Sequence, residues 1–372
     1  MKYLICFGTR PEVIKMAPII LEMKKRGVRY FLCATGQHRE MLDQMLEVFS
    51  LKPDFDLSLM KPRQSLNGLS AAIFSEIDKV FDEVDPKVVL VQGDTTTANI
   101  IAQAAFHRQI KIAHIEAGLR TYQRYSPFPE EMNRQLISRL ANYHFTPTSI
   151  ATKNLISEGI NRDLICESGN TVVDALKSIE PGLRDFNFRE EMNINPSNHT
   201  KLILVTGHRR ENFGEGMQQL CLALEELARD KSNLIVFPVH LNPNIKLVVE
   251  ERLKGKENIK LLPPVKYNHL LALLKTCDLV ISDSGGIQEE APAFKKPVLV
   301  TRDYTERQEA VTAGFSILTG AHANAILENA QKLLINPLDF KDVSNPFGDG
   351  KAAERIVDFL QSQVLENPVT TS

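Results

Sequence analysis

The stretch KYLICFGTRPE (2–12) returns at 201–211 as KLILVTGHRRE, aligning without a gap so that Lys2 falls on Lys201, Gly8 on Gly207, Arg10 on Arg209 and Glu12 on Glu211. Each copy reads as an apolar strand running into a glycine-containing turn. A second pair follows in the same order. VVLVQGDTTTANI in the first half and LVISDSGGIQEEA in the second are both apolar strands ending in a Gly/Asp/Ser/Thr turn that opens a helix. Two matches in one order divide the chain into two similarly built halves. Between them, short β-branched runs such as KVVLVQ and KIAHIE alternate with segments of helical period such as IIAQAAFHRQ. That alternation is the pattern of βαβ units around a parallel sheet. The expected fold is therefore α/β: two Rossmann-like, doubly wound domains facing a central cleft, with ligand held at the carboxyl ends of the strands. The seam is expected near ESGNTVVDAL (167–176), and the polar stretch REEMNINPSNHTK (189–201) reads as a loop before the second domain's first strand.

Length agrees with this division, because 372 residues exceed what one ordinary core holds. Basic and acidic residues number 44 and 46 and are mixed along the chain, so no global field would gather nucleic acid or anionic lipid. Any anion must meet a local cluster. The five cysteines stand singly, without a CxxC pair, mostly inside apolar runs, which fits a reducing cytoplasm. No segment approaches the ~20 apolar residues of a membrane helix, and the N-terminal apolar run is too short for a signal peptide. A soluble, unprocessed cytoplasmic protein is expected.

Local clusters are present. SDSGGIQEEAP (282–292) puts two glycines after a serine where a helix N-terminus would attract an anion, then adds two glutamates within the next turn. Arg10 and Lys15, in GTRPEVIKMAP, lie at a strand-to-helix turn where both could meet a phosphate, with Pro11 suited to the first helical position. Neither the nicotinamide fingerprint nor the Walker pattern occurs. GEGMQQ and GDGKAA lack the third glycine, so a redox cofactor and a P-loop phosphotransferase are both disfavoured. Carboxylates concentrate after strands of the first half: Asp94 in QGDTTT, Glu116 in HIEAGLR, Glu130 and Glu131 in SPFPEEMNR. Three of them have a plain reading, Asp94 as a helix N-cap and Glu130 with Glu131 as complements to a helix dipole. Brought together, they suit proton transfer by an acid and a base in different environments. HIE is not followed by P-C-x-x-C, and the histidines lack metal-ligand spacing, so no metal is expected. His208, at the end of the second domain's first strand, is placed to contact phosphate or sugar.

In order and over nearly the whole chain, FGTRPEVIKMAP, GQHREML, GDTTT, EAGLRT, SPFPEEMNRQ, GNTVVDAL, TGHRREN, SDSGGIQEEAP and RDYTERQEA resemble the non-hydrolysing UDP-N-acetylglucosamine 2-epimerases. The resemblance implies the GT-B architecture, with residues 1–170 plus 355–372 as the carboxylate-bearing domain and 171–354 as the UDP-binding domain. AAERIVDFLQSQ (352–363) would be the final helix that returns to the first domain. It further implies interconversion of UDP-N-acetylglucosamine and UDP-N-acetylmannosamine without NAD, for polysaccharide synthesis, in a homodimer. Carried over by motif, Asp94, Glu116 and Glu130 become acid/base and oxocarbenium-stabilising candidates, with Lys15 and His208 also in the catalytic set. Arg10, Lys15, Arg134 and His208 would hold the diphosphate or sugar, Ser284, Gly285 and Gly286 would cradle phosphate, and Glu290 would bond the ribose hydroxyls. Glu289 is given no role. Gln37, His38, Arg63, Arg209 and His240 resemble a second, activating nucleotide-sugar site, from which Glu40 departs by standing in place of glutamine. The alternatives are a hydrolysing 2-epimerase releasing free N-acetylmannosamine, a GT-B glycosyltransferase that needs an acceptor, and a nucleotide-sugar sensor without activity.

Overall fold

A computed structural model describes residues 1–36, 39–61, 64–195, 201–209 and 212–366. They divide into two compact units, Met1–Ala175 with Phe347–Ser372, and Leu176–Pro346. Each unit is built on its own parallel sheet, as the repeated strand-and-turn pattern predicts.

The first unit holds seven strands: β1 (Tyr3–Phe7), β2 (Tyr30–Ala34), β3 (Phe55–Asp56), β4 (Val88–Gln92), β5 (Lys111–Ile115), β6 (Tyr143–Thr146) and β7 (Ile165–Glu167). Their spatial order is β3-β2-β1-β4-β5-β6-β7, and all neighbours pair in parallel. The chain therefore reverses its winding between β1 and β4, the point at which an open α/β sheet leaves a crevice. Strands β1 (YLICF) and β4 (VVLVQ) are buried throughout, which explains why they read as continuous apolar runs without alternation. Helices Leu66–Val84 and Thr96–His107 cover the sheet with Ile73, Ile77, Phe81, Ile101 and Ala105.

The helix Ala352–Glu366 belongs to this unit although it comes from the far end of the chain. Asp174 caps it, accepting from Ala352 N at 3.2 Å and Ala353 N at 2.9 Å. Phe359 packs edge-on against Phe145 and Tyr143, with ring centroids 5.4 and 6.0 Å apart. Arg26 pairs with Asp358.

In the second unit, β8 (Lys201–Thr206), β9 (Asn233–Pro238), β10 (Ile259–Leu262), β11 (Leu279–Ser282), β12 (Val298–Val300) and β13 (Ser316–Leu318) lie in the order β10-β9-β8-β11-β12-β13, again parallel. This repeats the first unit's topology, so β8 takes the place of β1 and β11 that of β4. Its core gathers Ile203, Val205, Leu224, Phe237, Val249 and Ile281. Among the described residues no helix is long and apolar enough to cross a membrane.

Candidate active site

In the first unit, the turns after β1, β4 and β5 bring together residues that the sequence singles out. Helix Arg10–Lys25 starts directly behind β1, with Thr9 as N-cap, Pro11 in the first turn and Glu12 reaching back to Thr9 N at 2.7 Å. Glu12 is fully buried and does more than cap, because it also accepts from Gly8 N at 2.9 Å and from Thr95 Oγ1 at 2.8 Å. It thus ties the turn after β1 to the turn after β4. Burial raises its carboxyl above the ordinary range, opposed by the hydrogen bonds from Thr9, Gly8 and Thr95.

One helical turn further on, Lys15 places Nζ 2.6 Å from Glu116 Oε1 and 2.7 Å from Oε2, with the two side chains only 10% and 7% exposed. Gln92, the last residue of β4, donates to Glu116 Oε2 as well. Glu116 directly follows β5 with φ 63°, in the left-handed region that side chains other than glycine seldom adopt. Such a conformation costs about 1–3 kcal/mol and is held only where the surroundings fix it. The lysine and glutamine fix it here.

Asp94 is not the helix cap that its sequence context allows. Thr95 caps helix Thr96–His107 by accepting from Ala98 N at 3.0 Å, which leaves the Asp94 carboxylate for Arg134 Nη2, 2.8 Å away. Arg134 lies almost wholly inside the unit and also approaches Glu131 Oε2 at 3.6 Å. Glu130 and Glu131 open helix Glu130–Leu140, where their environments diverge. Glu130 is half-buried, whereas Glu131 is buried and accepts from Thr121 N, Tyr122 N and Gln135 Nε2 at 3.0, 3.1 and 2.7 Å. Glu131 therefore anchors the loop after β5. Beneath these groups His114 donates through Nε2 to Gly93 O at 2.7 Å, and burial drives its pKa down to about 3, so the ring is neutral. Arg10 is half-buried at the first position of its helix.

In the second unit the buried Asp283 organises the turn after β8. It accepts from His208 N at 3.0 Å, Arg209 N at 2.9 Å and Asn212 Nδ2 at 3.1 Å, and its Oδ1 lies 3.4 Å from His208 Nδ1. The His208 ring stacks on His240 with centroids 6.0 Å apart. Ser284 caps the helix Gly285–Glu290, its hydroxyl accepting from Ile287 N at 3.5 Å. Glu290 is buried and accepts from Tyr267 OH at 2.8 Å. Glu289, without a role in the sequence reading, receives Arg307 Nε at 2.9 Å and Nη2 at 2.7 Å. That guanidinium lies against Gly285, where a Cβ would be 3.2 Å from Arg307 Cζ.

The sequence-derived residues thus gather by unit: Arg10, Lys15, Asp94, Glu116, Glu130 and Arg134 at one set of turns, and His208, Arg209, His240, Ser284, Gly285, Gly286 and Glu290 in the other unit. Gln37, His38 and Arg63 lie outside the described residues, as does the side chain of Glu40. The sequence gives no role to Asp283, Glu289, Asn133 or Arg307, although the motifs SDSGGIQEEAP, SPFPEEMNRQ and RDYTERQEA contain them.

Two doubly wound units, one with carboxylates gripped by cations at its switch point and one with a serine–glycine helix start, define an α/β protein of the twin-Rossmann class. A family model described as UDP-N-acetylglucosamine 2-epimerase matches residues 21–361. The UDP-N-acetylglucosamine 2-epimerase of Campylobacter jejuni is 48% identical, covering 96% of this chain and 97% of its own. Among solved structures, the Neisseria meningitidis UDP-GlcNAc 2-epimerase bound to UDP-GlcNAc superposes with TM-score 0.91 at 45% identity, covering 97% of this chain and all of its own. The Methanocaldococcus jannaschii enzyme, in complex with UDP-GlcNAc and UDP, gives 0.84 at 35% identity, with coverage of 97% and 100%. The chain belongs to the UDP-N-acetylglucosamine 2-epimerase family.

Proposed function

We propose that the chain interconverts UDP-N-acetylglucosamine and UDP-N-acetylmannosamine by the non-hydrolysing route. A base removes the proton from carbon 2, the bond from carbon 1 to the UDP oxygen breaks, and its electrons leave with UDP while the C–H pair forms the C1–C2 double bond of 2-acetamidoglucal. UDP then adds back to carbon 1 as a proton is delivered to carbon 2 from the opposite face. No step of this route transfers a hydride, since only a proton and UDP leave and return, so it calls for no nicotinamide.

The observation that carries this reading is the pair of differently held carboxylates after adjacent strands, Glu116 on Lys15 and Gln92, Asp94 on Arg134. Unlike environments are what separate the duties of acid and base. Glu130 supports the positive charge that develops at carbon 1, and Arg10 and Lys15 favour the departing diphosphate. In the second unit Ser284, Gly285 and Gly286 hold phosphate, His208 contacts the diphosphate or sugar, and Glu290 accepts from the ribose hydroxyls. A glutamate beside a phosphate cradle is no contradiction for a ligand that joins an anion to a neutral, hydroxyl-rich ribose. We further propose a cytoplasmic homodimer that supplies activated N-acetylmannosamine for cell-surface polysaccharide, with a second nucleotide-sugar site at Gln37, His38, Arg63, Arg209 and His240.

Incubation with UDP-N-acetylglucosamine alone in heavy water, followed by NMR, tests the route. The expected product is a UDP-linked, mannose-configured sugar carrying deuterium at carbon 2. Free N-acetylmannosamine with UDP would assign the hydrolysing reaction instead, and recovery of unlabelled substrate would overturn both.

A further inference from the structure

Asp94 is held twice by one helix. Arg134 takes its carboxylate, and the preceding residue, Asn133, donates from Nδ2 to the Asp94 carbonyl oxygen at 2.9 Å. Asn133 is itself held, because Asn99 Nδ2 donates to its Oδ1 at 2.9 Å, and Gln103 Nε2 donates to Asn99 Oδ1 at 3.1 Å. Three carboxamides thus stand in series, every donor pointing towards Asp94, and Asn99 and Asn133 are both buried. Aligned amide dipoles of this kind polarise one another, and buried polar groups so satisfied specify one arrangement. None of the three titrates, so the grip is the same at every pH at which the protein is folded. The carbonyl they hold belongs to the peptide between Asp94 and Thr95, just ahead of the helix, where no intrahelical donor is available to it.

We propose that Asn133 is a positioning residue for the epimerase reaction: backed by Asn99 and Gln103, it fixes the main chain of Asp94 so that the carboxylate meets the sugar in one orientation. The proposal rests on the assignment of Asp94 to proton transfer or charge stabilisation. Asn133 touches no reacting atom and acts through the Asp94 peptide. Removing it leaves the ion pair with Arg134 but frees the backbone, and a displacement near 1 Å at a reacting group costs on the order of 100-fold in rate.

The experiment uses the full chain with UDP-N-acetylglucosamine, measuring kcat, KM, the affinity for UDP by calorimetry, and urea unfolding. Asn133→Ala should lower kcat by about 10- to 100-fold, with KM and UDP affinity within about threefold. Asn133→Asp keeps the size and the acceptor for Asn99 but loses the donor, so it should show the same loss and stands in if the alanine variant fails to fold. Because the amides act in series, Asn99→Ala with Asn133→Ala should be no slower than Asn133→Ala alone, and adding Asn133→Ala to Asp94→Asn should change nothing further. A slow Asp94→Asn beside an Asn133→Ala within twofold of the parent overturns the role of Asn133 alone, as do losses that simply multiply. A near-normal Asp94→Asn overturns the reading of Asp94 itself, and the role of Asn133 falls with it.

Discussion

Lys15 Nζ lies within 2.7 Å of both carboxylate oxygens of Glu116, joining the helix behind β1 to the residue that directly follows β5. Both side chains are nearly enclosed, so removing one charge strands the other. Lys15→Met should therefore destabilise the protein by about 3 kcal/mol. Lys15→Met combined with Glu116→Gln, which leaves no uncompensated charge, should recover at least about 1 kcal/mol of that loss. Urea unfolding of the two variants is the check, and equal midpoints would show that the Glu116 charge left without Lys15 costs the fold nothing. Glu116→Gln alone should slow epimerisation by more than about 100-fold if the carboxylate transfers the proton.

Arg134, which the resemblance makes a substrate contact, has its guanidinium on Asp94 and beside Glu131 inside the first unit. A residue used in this way should govern the orientation of Asp94 more than the grip on UDP. Arg134→Gln is expected to reduce kcat by at least about 10-fold while the Kd for UDP, measured by calorimetry, moves by less than about threefold. A large loss of UDP affinity with kcat preserved would return Arg134 to the substrate.

What the sequence displayed and what it concealed follow from the range of the interactions. The strands were legible because a buried parallel strand is a continuous apolar run, and the turns after them because KYLICFGTRPE and KLILVTGHRRE repeat the same glycine and charges. Partners distant along the chain were not. Asn133 meets a carbonyl 39 residues away, and nothing around it in EEMNR marks it apart from the charges at its sides. Glu289 and Glu290 are neighbours of one chemical type, and only the fold sends one to Arg307 and the other to Tyr267. Asp94 against Thr95 as helix cap is the same difficulty at short range, since both residue types cap well and the backbone decides between them.

His114 and His144 face each other across β5 and β6, and burial lowers their pKa values to about 3 and about 4. The sign follows from the unfolded chain, in which both would titrate near 6.5. Below that value the unfolded state takes up protons that the folded state refuses, so stability contributed above pH 6.5 is lost as the pH falls. Each ring should cost about 2 kcal/mol between pH 7 and pH 5. The variant His144→Phe keeps a ring of similar size and cannot titrate. Comparison of urea unfolding at the two pH values should show the parent losing about 2 kcal/mol more than this variant. Equal losses would mean that His144 is protonated in the folded protein.

Gly285 opens the helix after β11, and the Arg307 guanidinium lies over it, held by Glu289 and Glu306. A methyl group there would come 3.2 Å from Arg307 Cζ, closer than packed side chains normally allow. Since two carboxylates restrain the guanidinium, either it or the Ser284–Gly286 turn must shift by a few tenths of an ångström. The second unit's core lies elsewhere, around β8, β9 and β11, so stability should change by no more than about 1 kcal/mol. If the turn cradles the diphosphate, Gly285→Ala should weaken UDP binding by about 10-fold, equivalent to about 1.4 kcal/mol. Calorimetric titration with UDP decides it, because an unchanged Kd in a folded variant would separate this turn from the nucleotide.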